Sequence, residues 1–200
     1  MSQPLLTYRH MLKIATHDSA TGESGRGLLS RLVTPFARTQ GKTIREQYDA
    51  GCRSFDIRVR RRRGGSTWVC AHGLWESART ALDILREIDS FAEPCQVCLT
   101  YEGTSASAED FRALALHLRG LLRNIVWGAA CCKYGRRAGV SVDYVPVLEG
   151  QAGYEGGVQG FLPLDGRSWH TCLPVPWLWD RLCRRPHRFN GERFTFVDFL

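Results

Sequence analysis

The sequence predicts an α/β protein in one domain, with parallel strands at its centre. Up to Gly128, segments with the apolar pattern of strands alternate with segments whose apolar residues recur at helical spacing. The two strongest helical segments each follow a serine that can cap a first turn, Ser77 and Ser107. Such alternation favours parallel strands joined by helical crossovers.

The first elements are short. Met11 to Ala15 has the pattern of a strand, and the glycine-rich segment Gly22 to Gly27 that follows it predicts a loop. Leu28 to Phe36 is mildly amphipathic. Thr43 to Ala50 predicts a short helix, which Gly51 can close because glycine tolerates the left-handed conformation after a helix.

The middle of the chain carries the strongest signals, and the end carries weaker ones. Pro94 closes the first long helix, and the glycine pair Gly64-Gly65 forms a turn between two strands. The predicted elements are, in chain order, strands 53–60 and 67–71, helix 78–91, strand 96–101, helix 108–123, a plausible strand 158–164 and a last strand 193–200. Cys131-Cys132 falls in a glycine-rich connector.

One predicted strand has charges on one of its two faces. Phe55, Ile57 and Val59 alternate with Asp56 and Arg58, so the apolar and the charged side chains point to opposite sides. Central strands of an α/β sheet are usually apolar on both faces, since burying unpaired charge is costly. The charged face therefore predicts a polar site.

Composition limits the class of protein and the class of partner. The 200 residues, with 44% hydrophobic and 24% charged, indicate one globular domain over residues 1–200. The net charge of +7 favours a polyanionic partner, which could be a phospholipid surface, a nucleic acid or a phosphorylated small molecule. Much of this charge comes from arginine clusters at residues 58–63, 136–137 and 184–185.

Targeting signals are not evident in the sequence. No apolar run is long enough to span a bilayer, and the first residues lack a basic segment followed by an apolar stretch. Taken as a complete chain, the sequence predicts a soluble cytoplasmic protein that is peripheral to a membrane, with secretion left open.

The eight cysteines predict reduced thiols rather than a metal site or disulfides. Disulfides are typical of secreted proteins, and no signal sequence is seen. Cys95 and Cys98 have the spacing of half a zinc site, but no second pair of ligands accompanies them. Packing in the predicted strand therefore explains them better than a metal does.

Three segments, in order along the chain, resemble one protein family. They are residues 15–21 (ATHDSAT), residues 47–59 (QYDAGCRSFDIRV) and residues 71–73 (AHG). Together they resemble the X region of phosphatidylinositol-specific phospholipase C, especially the bacterial enzymes and the X-domain-only proteins. The resemblance covers the chain from about Leu12 to Glu102.

The resemblance implies a TIM-type (β/α) barrel with its site at the carboxyl ends of the strands. Residues 170–193 are too few for the two further strand-helix units of a complete barrel, so we expect either a barrel that is abbreviated or irregular in its C-terminal half, or an incomplete chain. By resemblance, His17 is the base that deprotonates the inositol 2-hydroxyl, which then attacks its own phosphorus. His72 is the acid that protonates the departing diacylglycerol oxygen.

Carboxylates are assigned to both histidines by the same resemblance. Asp198, in the last predicted strand, is expected to pair with His17, and Asp18 with His72, since a carboxylate fixes an imidazole's tautomer and stabilises its charged form. Asp56 is expected to orient Arg58 or His72. The predicted catalytic residues are therefore His17, Asp18, Asp56, Arg58, His72 and Asp198.

Arg58 decides the expectation about a metal. The animal enzymes carry a calcium-binding carboxylate at the matching place, whereas the bacterial enzymes carry arginine, whose guanidinium can hold phosphate without a metal. We therefore expect no cofactor and no calcium requirement. The alternative is a calcium site that includes Glu102, which falls where the animal family has another calcium ligand. We expect Glu102 to pair with Arg58 instead. Arg58 and Glu102 are then the predicted substrate-binding residues.

Three functions remain for comparison. The first is a phospholipase-type lyase that cleaves phosphatidylinositol, or a glycosylated derivative, at a membrane surface. The second is a weakly active or inactive headgroup-binding module of the same fold, because the basic residue that the family carries on its fifth strand has no counterpart in residues 160–165. Nucleic-acid binding ranks last, since no motif or aromatic platform supports it.

A monomer is expected. The Trp177-Leu-Trp179 segment is open to two interpretations, an interfacial membrane anchor or a packed core element.

Overall fold

The structure, a computed structural model, describes residues 14–134, 143–147 and 195–197. The helices are α1 (Gly27–Ala37), α2 (Ile44–Asp49), α3 (Ala81–Asp89) and α4 (Ala108–Leu121), and a 3-10 turn covers Ser19–Gly22. The strands are β1 (Ile14–Thr16), β2 (Cys52–Arg61), β3 (Trp68–His72), β4 (Trp75–Thr80), β5 (Cys95–Tyr101), β6 (Ile125–Tyr134), β7 (Asp143–Pro146) and β8 (Thr195–Val197).

The described strands form one mixed sheet. Across it, β8, β1, β2, β5 and β6 are successive parallel neighbours. The antiparallel strands are β3 beside the end of β2, β4 beside β3, and β7 beside β6. The α/β class is thus confirmed, but the sheet is mixed, because hairpins rather than helical crossovers connect β2 to β3 and β3 to β4. Within the described residues the sheet is open, and a barrel is not shown.

Capping decides where the helices begin. Thr80 caps α3, because its hydroxyl accepts from the Asp83 amide at 3.1 Å and the Asp83 carboxylate accepts from the Thr80 amide in return. The prediction of a helix from residue 78 after a Ser77 cap was wrong, since Ser77 lies inside β4. A threonine followed three residues later by an acidic residue is the stronger start signal, and Ser77 lacks that partner.

The other boundaries agree well with the sequence patterns. Thr43 and Ser107 cap α2 and α4 with the same reciprocal arrangement. Gly51, just after α2, has a φ of 99°, as expected for a glycine that ends a helix. Cys131-Cys132 was wrongly placed in a connector, since both residues lie in β6. The predicted strand 158–164 and the Trp177–Trp179 segment fall outside the described residues.

Both faces of β2 are buried, but they contact different surroundings. Phe55, Ile57 and Val59 are fully buried in the apolar core, where they share one cluster with residues of α3 and α4. On the opposite face Asp56 and Arg58 are only 3% and 4% exposed. The charged face of this strand is therefore inside the protein, and its charges need partners there.

No helix in the described part of the chain combines the length and the apolar character needed to cross a bilayer.

Candidate active site

Parallel pairing brings the ends of three strands to one place. Thr16 of β1 pairs with Phe55 of β2, so the residues that follow β1 reach the level of Asp56. β5 pairs with β2 in the same direction, with Thr100 opposite Arg58. Glu102 therefore lies just beyond the strand end, where its backbone amide donates to the Val59 carbonyl at 2.9 Å.

The hairpin after β2 returns His72 to the same place. Val59 pairs with Cys70, so the end of β3 runs back beside the Asp56–Arg58 part of β2. Arg60 holds the turn after His72, because its Nη1 donates to the Gly73 carbonyl at 2.7 Å and its Nη2 lies 3.2 Å from Glu76. The side chain of His72 remains about a quarter exposed, at 28%.

The guanidinium of Arg58 is at the centre of the cluster. Its Nε lies 2.6 Å from Asp18 Oδ1 and 3.1 Å from Asp56 Oδ2, and its Nη1 lies 3.4 Å from Glu102 Oε2. Arginine keeps its charge when buried, so one fixed cation is surrounded here by three carboxylates. The pairing expected between Arg58 and Glu102 is thus present as a contact.

Both histidines contact the same oxygen of Asp18. His72 Nδ1 lies 2.7 Å from Asp18 Oδ2, and His17 Nε2 lies 3.2 Å from it. These contacts are ion-pair distances without good hydrogen-bond alignment at the Asp18 oxygens. His17 Nε2 also lies 2.6 Å from Arg58 Nη2. A guanidinium has donors only, so Nε2 accepts this bond and His17 carries its proton elsewhere.

Asp18 is the most strongly perturbed acid of the cluster. Its burial raises the pKa, but the charge of Arg58, followed by His72 and His17, lowers the pKa by more, so the net result is a pKa well below the ordinary 3.8. Asp18 therefore stays ionised.

The backbone at Asp18 is unusual. Its φ of 45° and ψ of 47° lie in the left-handed region, which aspartate adopts more readily than most residues. The conformation is held by its amide, which donates to Asp56 Oδ2 at 3.3 Å, and by its carbonyl, which accepts from the Thr21 amide and hydroxyl at 2.8 Å each. This turn directs both His17 and Asp18 toward Arg58.

The donor set fits calcium poorly. Among the described residues, two groups of three possible ligand atoms each lie within 4.8 Å of one another. They are His17 with Asp18 and Asp56, and Asp18 with His72 and Glu102. Calcium favours six to eight oxygen ligands, whereas each group offers a nitrogen and only two carboxylates. The guanidinium of Arg58 already supplies a positive charge to the same carboxylates.

Six of the seven predicted site residues meet in this cluster. They are His17, Asp18, Asp56, Arg58, His72 and Glu102. Asp198 lies outside the described residues, although Val197 before it pairs with Thr16, the residue before His17. The roles assigned to these residues remain predictions.

Sequence patterns missed the residues that support this cluster. Thr39 and Gln40 both donate to the His17 carbonyl, yet they stand in a short polar segment that no motif marks. Sequence patterns also gave no partners for the arginine run 60–63, of which only Arg63 is exposed. Arg60 and Arg62 both lie near Glu76, and Arg61 contacts Asp110. Each has an acidic partner that is distant in sequence.

The pKa of Asp18 predicts how stability changes in acid. Because the folded-state pKa is below the unfolded value of 3.8, Asp18 adds stability above that pH, and this stability is lost as pH falls below it. We expect Asp18→Asn to lower the free energy of unfolding at pH 7 by less than the ~3–5 kcal/mol typical of breaking a buried ion pair, since Asp56 and Glu102 still contact Arg58. The difference from wild type should shrink between pH 5 and pH 3.

Urea unfolding at pH 7, 5, 4 and 3 measures this difference. Asp49→Asn, at an exposed aspartate of α2, is the control and should follow the wild-type profile. Parallel wild-type and Asp18→Asn profiles across the range would contradict the low pKa of Asp18.

Comparisons with known proteins find likeness only among solved structures. No protein-family model and no curated protein matches the sequence. A variant of phosphatidylinositol-specific phospholipase C from Staphylococcus aureus matches with 17% identity and a TM-score of 0.47, over 66% of this chain and 53% of that one. The enzyme of Listeria monocytogenes matches with 17% identity and a TM-score of 0.43, over 72% and 60%.

A third structure comes from a study of membrane binding by the S. aureus enzyme. It matches with 15% identity and a TM-score of 0.46, over 95% of this chain and 74% of that one. This chain spans about half the length of most of the S. aureus structures it matches. These solved structures, to which this chain is similar, are bacterial phosphatidylinositol-specific phospholipases C.

Proposed function

We propose that this protein cleaves phosphatidylinositol, or a glycosylated derivative, to diacylglycerol and inositol 1,2-cyclic phosphate. The observation that carries the proposal is a pair of histidines, His17 and His72, that contact one oxygen of Asp18 beside the buried guanidinium of Arg58. Intramolecular transfer at a phosphodiester needs a base, an acid and a phosphate-binding cation close together. We further propose that the parallel strands belong to an irregular (β/α) barrel.

His17 is the proposed base. Its Nε2 is unprotonated when it accepts from Arg58 Nη2 at 2.6 Å. When a phosphate oxygen draws the guanidinium away, the inositol 2-hydroxyl takes its place at Nε2. The proton moves from the hydroxyl to Nε2, and the oxygen forms a bond to phosphorus. Asp198 is the proposed partner of the other ring nitrogen.

His72 is the proposed acid. Its Nδ1 lies 2.7 Å from Asp18, so its Nε2 is the nitrogen that can give a proton to the substrate. Asp18 stays ionised because of its low pKa and stabilises the imidazolium that His72 must be before transfer. As the bond from phosphorus to the glycerol oxygen breaks, that oxygen takes the His72 proton and diacylglycerol leaves.

Arg58 is proposed to hold the phosphate without a metal ion. The guanidinium is fixed from its Nε side by Asp18 and Asp56, which orients its remaining donors. A preorganised cation of this kind stabilises the charge that develops on the phosphoryl oxygens. Asp56 therefore acts through Arg58, and Glu102 limits the position of the Nη1 end.

A membrane surface is the proposed location of the substrate, and α1 supports this. The helix turns its large apolar side chains outward, with Leu28 74%, Leu32 63% and Phe36 55% exposed, while its Ser30 is buried. The Ser30 hydroxyl accepts from the Glu76 amide at 3.1 Å, which attaches α1 to the His72 hairpin. Leu74, two residues after His72, is 68% exposed.

These side chains form an apolar surface near the proposed acid. Exposed Arg26 and Arg31 accompany them and can attract an anionic lipid such as phosphatidylinositol. Leucine and phenylalanine side chains inserted at the level of the headgroups would gain from burial of apolar area. The occupant that we propose for this surface is therefore an anionic phospholipid bilayer.

A headgroup-binding module with little turnover is the second candidate function. It is favoured by the three carboxylates around Arg58, because they compete with a phosphate for the guanidinium donors. The same binding surface would serve either function. Formation of cyclic phosphate separates the two, since only the enzyme makes it.

Replacing either proposed proton-transfer residue should remove turnover. We expect His17→Ala and His72→Ala each to lower kcat about 10²–10⁴-fold, the usual contribution of general acid–base catalysis. The measurement is phosphorus NMR of inositol 1,2-cyclic phosphate formed from phosphatidylinositol in mixed micelles. His117→Ala, at an exposed position of α4, is the control and should keep wild-type activity. A wild-type chain that binds the micelles but forms no product would support the headgroup-binding module.

Loss of the guanidinium should not be compensated by a metal. We expect Arg58→Lys to lower kcat/KM by about 10²-fold or more, as when a preorganised donor to developing charge is removed, since lysine cannot make the same forked contacts. Wild-type activity should be the same with and without a calcium chelator. Activity that disappears with chelator and returns with calcium would overturn the proposal for Arg58.

The outward face of α1 should be needed on bilayers and not for folding. We expect Leu28→Ser/Leu32→Ser to weaken sedimentation with phosphatidylinositol-containing vesicles about tenfold or more, because two exposed apolar side chains are lost at ~1–2 kcal/mol each. Leu116→Ser/Leu121→Ser, a matched pair of exposed leucines on α4, is the control. Equal binding by both double variants would exclude α1 as the lipid-binding element.

A further inference from the structure

The backbone carbonyl of His17 is bound by two side chains from one segment. Thr39 Oγ1 donates to it at 2.9 Å and Gln40 Nε2 donates at 3.0 Å. Thr39 and Gln40 follow α1 by only two and three residues, and Gln40 is fully buried. A buried amide that donates to a loop carbonyl fixes the orientation of that peptide group.

Gln40 is itself held at its backbone. Its amide donates to Thr21 Oγ1 at 3.2 Å, and its carbonyl accepts from Arg38 Nε at 2.8 Å. The Thr39 amide also donates to Thr21 Oγ1, at 3.0 Å. The Gln40 amide group therefore projects from a fixed position toward the loop that carries His17 and Asp18.

The orientation of the peptide group between His17 and Asp18 affects the backbone of both residues. Its rotation changes ψ of His17 and φ of Asp18 together, and Asp18 is in the left-handed region, with a φ of 45°. Such a conformation costs about 1–3 kcal/mol of strain and persists because the surrounding contacts hold it. A change at this peptide would move His17 Nε2 away from Arg58 Nη2, which lies 2.6 Å from it.

A second buried glutamine offers a comparison within the same chain. Gln47 is also fully buried and donates to the Ser19 carbonyl at 2.8 Å and to the Lys42 carbonyl at 2.7 Å. Gln47 therefore supports the loop that carries His17 and Asp18, but at Ser19, two residues after His17. Its amide donates to carbonyls other than that of His17, so the two glutamines separate support of the loop from orientation of His17.

We propose that Gln40, together with Thr39, is a positioning residue that sets the imidazole of His17 against Arg58. Gln40 acts through the His17 carbonyl and touches no substrate. Its effect on catalysis rests on the proposed function, in which His17 is the base. Its effect on the position of the imidazole does not rest on that function.

Gln40→Met tests the proposal, because methionine keeps the length and the approximate volume of glutamine but has no donor. Gln47→Met is the matched control. The first readout is ¹⁵N NMR of the histidine rings at fixed pH, with the His17 signal assigned from its loss in His17→Ala. We expect the His17 ring signals to shift in Gln40→Met, to stay in place in Gln47→Met, and the exposed His117 signals to stay in both.

The second readout is kinetic. We expect Gln40→Met to lower kcat about 10–100-fold with KM unchanged, since misplacing a reacting group by a fraction of an ångström slows the chemical step. Gln47→Met should stay within about threefold of wild type, as expected for a contact that does not orient a reacting group. If Gln40→Met does not fold, Thr39→Val removes the other donor and should act in the same direction, and Thr39→Ser, which restores a hydroxyl, should recover activity.

The outcomes separate the two proposals. A wild-type chain without turnover would overturn the proposed function, while the NMR comparison would still decide the role of Gln40. An unchanged His17 signal in Gln40→Met, or an equal shift in Gln47→Met, would overturn the positioning role whatever the activity. Loss of activity and of stability to the same extent in both glutamine variants would also overturn it.

Discussion

The ion pair between Asp18 and Arg58 is the interaction on which the rest of the site depends. Its side chains are 1% and 4% exposed, and Asp18 Oδ1 lies 2.6 Å from Arg58 Nε. Taking either charge out of water alone would cost several kcal/mol, so each requires a partner of opposite charge. Because Asp18 also contacts both histidines, the position of this one carboxylate links the guanidinium to His17 and His72.

The parallel pairing of β1 with β2 brings the two partners of that ion pair to the same level. Asp18 follows β1 by two residues, and the pairing of Thr16 with Phe55 brings it to the level of the charged face of β2. β5, paired on the other side of β2, brings Glu102 to the same end. The buried charges are thus stabilised at the carboxyl ends of neighbouring strands, where side chains of separate segments converge.

In the proposed reaction, the same cluster holds Arg58 in place before a substrate binds. Arg58 donates to the unprotonated Nε2 of His17 and contacts three carboxylates, so its charge is fully compensated before any phosphate arrives. A phosphate must therefore compete with groups of this chain for Arg58. In the proposed reaction that competition has a benefit, because moving Arg58 toward phosphate exposes the base at the moment when its substrate hydroxyl is near.

Local sequence determined the character of the central strand and the starts of three helices. The alternation of Phe55, Ile57 and Val59 with charges determined a strand with a polar face. Capping boxes determined where α2, α3 and α4 begin, and the box at Thr80 places the start of α3 three residues later than a cap at Ser77 would. The resemblance of the segments around His17, Arg58 and His72 to one family, rather than a local pattern, indicated the cluster. Tertiary structure decided the antiparallel hairpins of the mixed sheet, the acidic partners of the arginine run and the bonds from Gln40 to the His17 carbonyl. These join residues distant in sequence, and local patterns carry no information about which distant groups will meet.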